Sequence, residues 1–256
     1  MSIKTSIYHK AKSHVKKEDL AQKAAKYNLD FEVLKNIPTD LIEIMETAVN
    51  YRKNANVMLD IGTHMGKFTA VANLFVPFDK TICFEPNKQM NEAIKTINNN
   101  IDVSIANIAL SDKKGVVTFH LHEDSSMNSI VGSDAEVLKS EFPWDNPDLM
   151  KETEVPTDTL DNYIQSNQLQ DDTFFIKIDT QGNELTVLRN GIETLKKTEV
   201  LLIEYMFLSP YENNFSHFEL LEFLNENGFD CKGALTISKR PSKKVSAVDF
   251  IFVKRS

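Results

Sequence analysis

Val57-Met58-Leu59-Asp60-Ile61-Gly62-Thr63-His64-Met65-Gly66 is the stretch that decides the fold of this chain. A short apolar run stops at a glycine, and a second glycine follows four residues later. Such a run is too short for a helix, and it reads as a buried strand that turns sharply into one. The helix is expected from about Lys67 to Leu74. Working outward, residues 80–85 form a second apolar run, stopped by Pro86. Residues 87–99 read as helical again, and residues 103–110 as a third strand. Strand, helix, strand, helix, strand is the pattern of a parallel sheet with right-handed crossovers.

Downstream the same alternation continues. Strands are expected at residues 116–122, 174–179 and 199–205, and helices at 157–163, 184–189 and 218–227. Residues 231–238 and 248–254 read as an antiparallel hairpin that closes one edge of the sheet. The expected fold class is therefore α/β, doubly wound, with a mostly parallel sheet. Residues 1–50 form a helical N-terminal extension, in which Pro38-Thr39-Asp40 marks a helix start. Residues 51–256 form the main domain. Within it, residues 124–155 are rich in Ser, Asp, Asn and Pro and hold the one tryptophan, Trp144. An insert of this kind reads as a lid with Trp144 facing the pocket beneath it, the alternative being a surface loop with Trp144 packed on the domain.

Bulk properties narrow the class. The 256 residues are 41% hydrophobic and 26% charged, which suits a folded domain with a sizeable core. No apolar run is long enough to span a bilayer, and the N-terminus lacks the apolar segment of a secretory signal. Cys83 and Cys231 have no metal or redox spacing, so a cytoplasmic protein is expected. A net charge of −8 disfavours nucleic acid as a partner. Two basic patches, residues 10–17 and 239–244, read as a solvated helix face and a hairpin loop, the alternative being a basic tip that guides an anionic acceptor such as a lipid-linked or phosphorylated glycan.

Ligands of open parallel sheets bind beyond the carboxyl ends of the strands. Gly62 permits a tight turn there, and Gly66 lets the helix start close against it. His64 stands two after Gly62, which breaks the glycine pattern of a dinucleotide site. Asp60 suits a ligand with positive charge. S-Adenosylmethionine carries a sulfonium and an α-ammonium and no phosphate. Glu85 ends the second strand, where a carboxylate can accept both hydroxyls of a ribose. Asn107, at the end of the third strand, either reaches the adenine edge or satisfies its own backbone.

Several spaced segments agree with one family. Asp60-Ile-Gly-Thr-His-Met-Gly-Lys-Phe-Thr69, Phe84-Glu-Pro-Asn87 and Ala109-Leu-Ser-Asp-Lys-Lys-Gly115 come first. Val155-Pro-Thr-Asp-Thr-Leu-Asp161 and Ile176-Lys-Ile-Asp-Thr-Gln-Gly-Asn-Glu-Leu-Thr-Val-Leu-Arg-Asn-Gly191 follow in order. Together they resemble the FkbM family of methyltransferases over roughly residues 55–205. The resemblance implies a class I methyltransferase fold, S-adenosylmethionine as donor, and usually O-methylation. The chain has Thr63-His64 where the family often has Ala-Asn, and Gln181 where it often has an acid.

Methyl transfer to a hydroxyl needs the nucleophile placed in line and a base for its proton. Asp179 ends a central strand and is the first candidate catalytic residue; its alternative role is a helix cap. Glu204 is the second candidate. Glu184 is expected to stabilise a helix N-terminus. His120 and His122 share a strand face. With Glu123 and Asp124 they offer metal ligands, but with no third ligand at metal spacing they read as a solvated strand face, and no metal is expected. The expected donor-binding residues are Asp60, Gly62, His64, Gly66, Glu85 and Asn107. The expected acceptor is a small molecule or a glycan. The alternative is a donor-binding scaffold protein on the same fold that has lost catalysis.

Overall fold

The computed structural model describes residues 39–212, 215–240 and 244–255. The extension before residue 39, including its basic patch, lies outside the described residues. Helix α1 (Thr39–Ala48) begins where Pro38-Thr39-Asp40 signalled a start. Strand β1 (Val57–Ile61) leads into α2 (Lys67–Phe75), then β2 (Lys80–Phe84), α3 (Asn91–Ile97) and β3 (Val103–Ala106). After them come β4 (Ala109–Leu110), β5 (Gly115–Leu121), α4 (Ala135–Glu141), β6 (Lys151–Asp158) and α5 (Leu160–Ser166). The chain continues through β7 (Phe174–Ile178), α6 (Glu184–Arg189), α7 (Ile192–Lys196) and β8 (Thr198–Met206). It closes with α8 (His217–Glu226), β9 (Phe229–Lys239) and β10 (Val245–Lys254).

Seven strands form the main sheet in the order β3-β2-β1-β7-β8-β10-β9. The first five run parallel, and β10 is antiparallel to both β8 and β9. The sheet is the doubly wound, mostly parallel one that the alternation predicted, with the expected hairpin at one edge. The order reverses between β1 and β7, which creates a crevice at their carboxyl ends. Both faces are covered. Helices α1 and α2 bury Ile44, Met45, Phe68 and Val71 against Met58, Phe175, Val200, Leu202 and Ile251. Helices α5, α6 and α8 bury Leu160, Leu185, Leu188, Leu220 and Leu224 against Leu59, Ile176, Leu201 and Ile203. Each such side chain contributes about 1.5–3 kcal/mol by leaving water.

The alternation of side chains across these strands has a consequence for the site. On the α1–α2 face, β1 presents Met58 and then Asp60, and β7 presents Phe175 and then Lys177. Likewise β8 presents Leu202 and then Glu204, and β10 presents Asp249 opposite Glu204. The face is thus apolar in its middle and charged at the carboxyl end of the parallel strands.

Three local expectations are corrected. The single strand expected at residues 103–110 is two, because the chain leaves the main sheet after Ala106. Asn107 donates its amide to the Glu85 carbonyl at 2.8 Å, and Ala109–Leu110 pairs instead with Thr157–Asp158 in a small sheet ordered β4-β6-β5. The helix expected from Thr157 starts at Leu160, capped by Thr159, whose hydroxyl accepts from the Asn162 amide. The stretch 124–155 is more regular than its composition implied: it holds α4, two turns of 3-10 helix and the start of β6.

Candidate active site

A cavity of about 390 Å³ opens beyond the carboxyl ends of the parallel strands, within the range of small-molecule sites. Its lining runs along the sheet from Glu85 after β2, past Gly62 and Asp179, to Glu204, Asp249 and Thr236.

The β1–α2 turn forms one wall. Gly62 has φ +80°, and a Cβ there would meet the Asp179 carbonyl oxygen at 1.8 Å. Only glycine fits, and the turn is thereby pressed against the β7 loop. Gly66 has φ +78° and precedes α2; a Cβ there would meet Asn98 Nδ2 at 2.6 Å. Gly66 shapes the turn and does not line the cavity. His64 does line it, in the left-handed region at φ 51°, with its Nε2 2.9 Å from Ser125 Oγ. Burial lowers the proton affinity of its imidazole.

Glu85 lines the same end and is 6% exposed. Its Oε2 accepts from the His64 amide at 2.8 Å and its Oε1 from the Asn87 amide at 2.9 Å. Burial pushes its carboxyl up to about 7, although both amides oppose the shift. Asn107 lies outside the cavity. Its amide is spent on the Glu85 carbonyl and on Asn91, so it braces the loop that carries Glu85.

Asp60 is fully buried beneath the cavity floor. Thr69 donates to its Oδ2 at 2.6 Å, and Lys177 Nζ lies 3.8 Å from its Oδ1. Burial raises the Asp60 carboxyl, with Lys177 opposing. Lys177 was not foreseen from the sequence. It sits mid-sheet in an apolar strand, and it also donates to Asp179 Oδ2 at 3.0 Å. Burial opposes its charge, yet Asp179 and Asp60 hold its ammonium above the ordinary lysine range.

Asp179 and Glu204 are brought together. Gln181 donates from one Nε2 to Asp179 Oδ1 at 2.7 Å and to Glu204 Oε2 at 3.2 Å. The Tyr211 hydroxyl lies 2.8 Å from the Met127 carbonyl oxygen and 3.1 Å from Gln181 Oε1, so it shares its one proton between them. Burial, then Asp179 and Asp249, raise the Glu204 carboxyl well above its usual range. Asp249 is pushed up to about 6 by burial, against a hydrogen bond donated by Thr236. Glu184 accepts from the Thr180 and Gly182 amides, so it ties the β7–α6 loop.

Two expectations fall away here. Trp144 does not face the cavity. It tilts against Phe142 at 5.7 Å, and the Arg240 guanidinium lies over both rings. The insert reaches the cavity instead through Ser125, Ser126, Asn128, Ser129 and Ile130. The two histidines are separated in role. His120 lies 3.4 Å from Glu152, whereas His122 is buried with Nδ1 2.6 Å from Asp145 and Nε2 3.2 Å from Ser133. Among the described residues no cluster of three or more His, Cys, Asp or Glu side chains is placed to hold a metal.

These residues fit S-adenosylmethionine. Glu85 is a buried acceptor for a ribose diol, Ile108, Ala109 and Leu110 offer an apolar surface, and the cavity's carboxylates outnumber its lysines. Among the described residues no helix is long and apolar enough to cross a membrane.

The chain is similar to several known proteins. The chain is 26% identical over 197 residues to the 2-O-methyltransferase NoeI of Sinorhizobium fredii (strain NBRC 101917 / NGR234), covering 73% of this chain and 79% of that one. Among solved structures it resembles TrmK of M. capricolum bound to S-adenosylhomocysteine, with TM-score 0.47 and 8% identity over 83% of this chain and 68% of that one. It also resembles precorrin-6y C5,15-methyltransferase of Geobacter metallireducens GS-15, with TM-score 0.42 and 12% identity over 84% and 88%. The family model described as "Methyltransferase FkbM domain" matches residues 60–231, and the chain belongs to that family as an S-adenosylmethionine-dependent methyltransferase.

Proposed function

We propose that the enzyme methylates a hydroxyl of a small molecule or a glycan, with Glu204 taking the acceptor proton and Asp179 holding the polar groups beside it. The observation that carries this reading is the half-buried pair bridged by Gln181. A hydroxyl is a weak nucleophile until its proton leaves, and a base works best when its proton affinity is close to the working pH. Glu204 is raised toward that range by burial and by its acidic neighbours. Asp179 is held by Lys177 and Gln181, so its carboxylate is a fixed acceptor. S-Adenosylmethionine supplies the methyl group from a positively charged sulfur. Glu85 would hold the ribose, and the Gly62 turn and Asp179 would border the charged end. A positive charge beside Glu204 favours its ionised form, which readies it as a base. Similarity to a 2-O-methyltransferase supports a hydroxyl as acceptor.

Residues 124–155 are proposed as the cover of the acceptor side, in keeping with the serines that line the cavity. The place of action is proposed to be the cytoplasm, in keeping with two unbridged cysteines. The test supplies labelled S-adenosylmethionine to extract fractions of small metabolites, glycans and RNA. Label in an ether-linked methyl of a small molecule or glycan is expected. Label confined to RNA, or to nitrogen, overturns the reading.

A further inference from the structure

The cavity has a second end that the family match does not cover. The matched segment spans residues 60–231, whereas Asp40, Leu41 and Ile44 precede it, and Thr236, Ser238 and Asp249 follow it. All six line the same cavity. They come together because α1 and α2 share one face of the sheet and because β10 and β9 extend that sheet beyond β8. Asp249 lies directly opposite Glu204 in the β10–β8 register and directly opposite Thr236 in the β10–β9 register. Side chains opposite one another on neighbouring strands share a face, with Cβ atoms about 4.5–5.5 Å apart. Glu204, Asp249 and Thr236 therefore form one lateral row of polar groups, and Ser238 adds a hydroxyl beside it. Leu41, Ile44 and Leu202 supply apolar surface around this row.

The chemistry of this end is one-sided. It offers three carboxyl groups and two hydroxyls. Of the two lysines among the lining residues, Lys177 is committed to Asp179 and Asp60, and Lys67 opens α2. Carboxylates and hydroxyls facing apolar side chains match a ring or chain rich in hydroxyls, which donates hydrogen bonds to them. A phosphate or carboxylate placed on the row of Glu204, Asp249 and Thr236 would meet the like charge of Asp249, which disfavours binding.

Resting on the methyl-transfer reading above, we propose that α1 and the β9–β10 hairpin build the acceptor subsite, with Asp249, Thr236 and Asp40 selecting a polyhydroxylated acceptor that carries no anionic group. Asp249 is then a specificity-determining residue for the reaction, apart from the donor site. The acceptor's reacting hydroxyl lies toward Glu204 and the rest of it extends along the row to Thr236.

The experiment measures binding, so it does not depend on turnover. Saturation-transfer NMR is recorded with S-adenosylhomocysteine present and with three matched probes: methyl glucoside, methyl glucosaminide and methyl glucuronoside. The neutral and amino sugars are expected to show contact with the wild-type protein, the amino sugar at least as strongly as the neutral one. The glucuronoside should show none. Asp249→Asn should reduce contact with the amino sugar at least threefold and leave S-adenosylhomocysteine affinity within twofold by calorimetry. Equal or stronger contact with the glucuronoside overturns the proposal, as does contact with none of the three. An unchanged response in Asp249→Asn overturns the role of that residue. Failure of labelled methyl transfer to any hydroxyl would sink the O-methylation reading and leave these binding results to stand by themselves.

Discussion

At the β1–β2 end of the cavity the backbone shapes the site. The Gly62 turn lies against the Asp179 carbonyl, and both Glu85 oxygens are aimed by main-chain amides. At the β8–β10–β9 end the β10–β8 ladder is regular, the β10–β9 ladder bulges just after Asp249, and side chains borne on the strands shape the surface. The difference teaches where change is tolerated. A backbone-built end fails as a unit when a glycine is altered. A side-chain-built end can alter its charge and hydrogen bonding while the ladder beneath it persists, so acceptor choice can diverge while donor binding stays fixed.

The contrast breaks most severely at Gly62. Gly62→Ala forces a methyl group into the Asp179 carbonyl and a left-handed φ on alanine. A loss of about 4 kcal/mol or more is expected, enough to abolish cooperative thermal unfolding. A variant that melts within a few degrees of wild type would show that the two loops separate easily.

Glu204→Gln tests the other end. The rate of methyl transfer in a single turnover should fall roughly 10²–10⁴-fold, with a loss of donor affinity of about tenfold or less from the removed charge. A fall in donor affinity equal to the fall in rate would place Glu204 with the donor instead.

The pH dependence of Glu85 sharpens the comparison. Its folded carboxyl sits at about 7, above the ordinary 4.5. The folded protein therefore binds this proton more tightly than the unfolded chain does. The stabilisation is complete below about pH 4.5 and is lost as pH rises through about 7, a change on the order of 3 kcal/mol. Chemical denaturation of the ligand-free protein from pH 4.5 to 8 should show this decline, and Glu85→Gln should flatten it. Donor affinity should run the opposite way, rising from pH 6 to 8, because the ribose hydroxyls need the ionised carboxylate. Glu85→Ala should weaken donor binding by about 1–3 kcal/mol at pH 8 without changing acceptor binding.

Trp144→Ala should do least. Its ring packs on Phe142 under Arg240, away from the cavity. Stability should drop by about 1–2 kcal/mol, and donor affinity should not change. A tenfold loss of donor affinity would mean that the insert transmits strain to the donor loop.

How far the site was legible follows the same division. Asp60, Gly62 and Glu85 stand at strand ends beside glycine or proline, where sequence spacing alone implies position. Asp249 and Thr236 sit mid-strand in a hairpin that bulges, so their facing direction depends on a register that no local signal specifies. Lys177 left a trace that was missed: a lysine inside an apolar run of a central strand implies a buried partner. Asn107 kept two roles open in the sequence, because a strand-end amide serves a ligand or a neighbouring carbonyl equally well. The pairing of His122 with Asp145 joins residues 23 apart across the insert, and nothing in their spacing marks it.

The position of β10 bears on biosynthesis. It is the last described strand in the chain, yet it lies inside the sheet between β8 and β9. While the ribosome is still adding the C-terminal segment, β8 must present an open edge of apolar residues, Val200 to Ile203. An edge of that kind invites pairing with another nascent chain. The Glu85 and Gly62 end can be assembled before that segment emerges, but Asp249 arrives with it. A chain cut short before Val245 would therefore retain the elements of the donor end, lack one wall for the acceptor, and carry an unprotected edge toward aggregation.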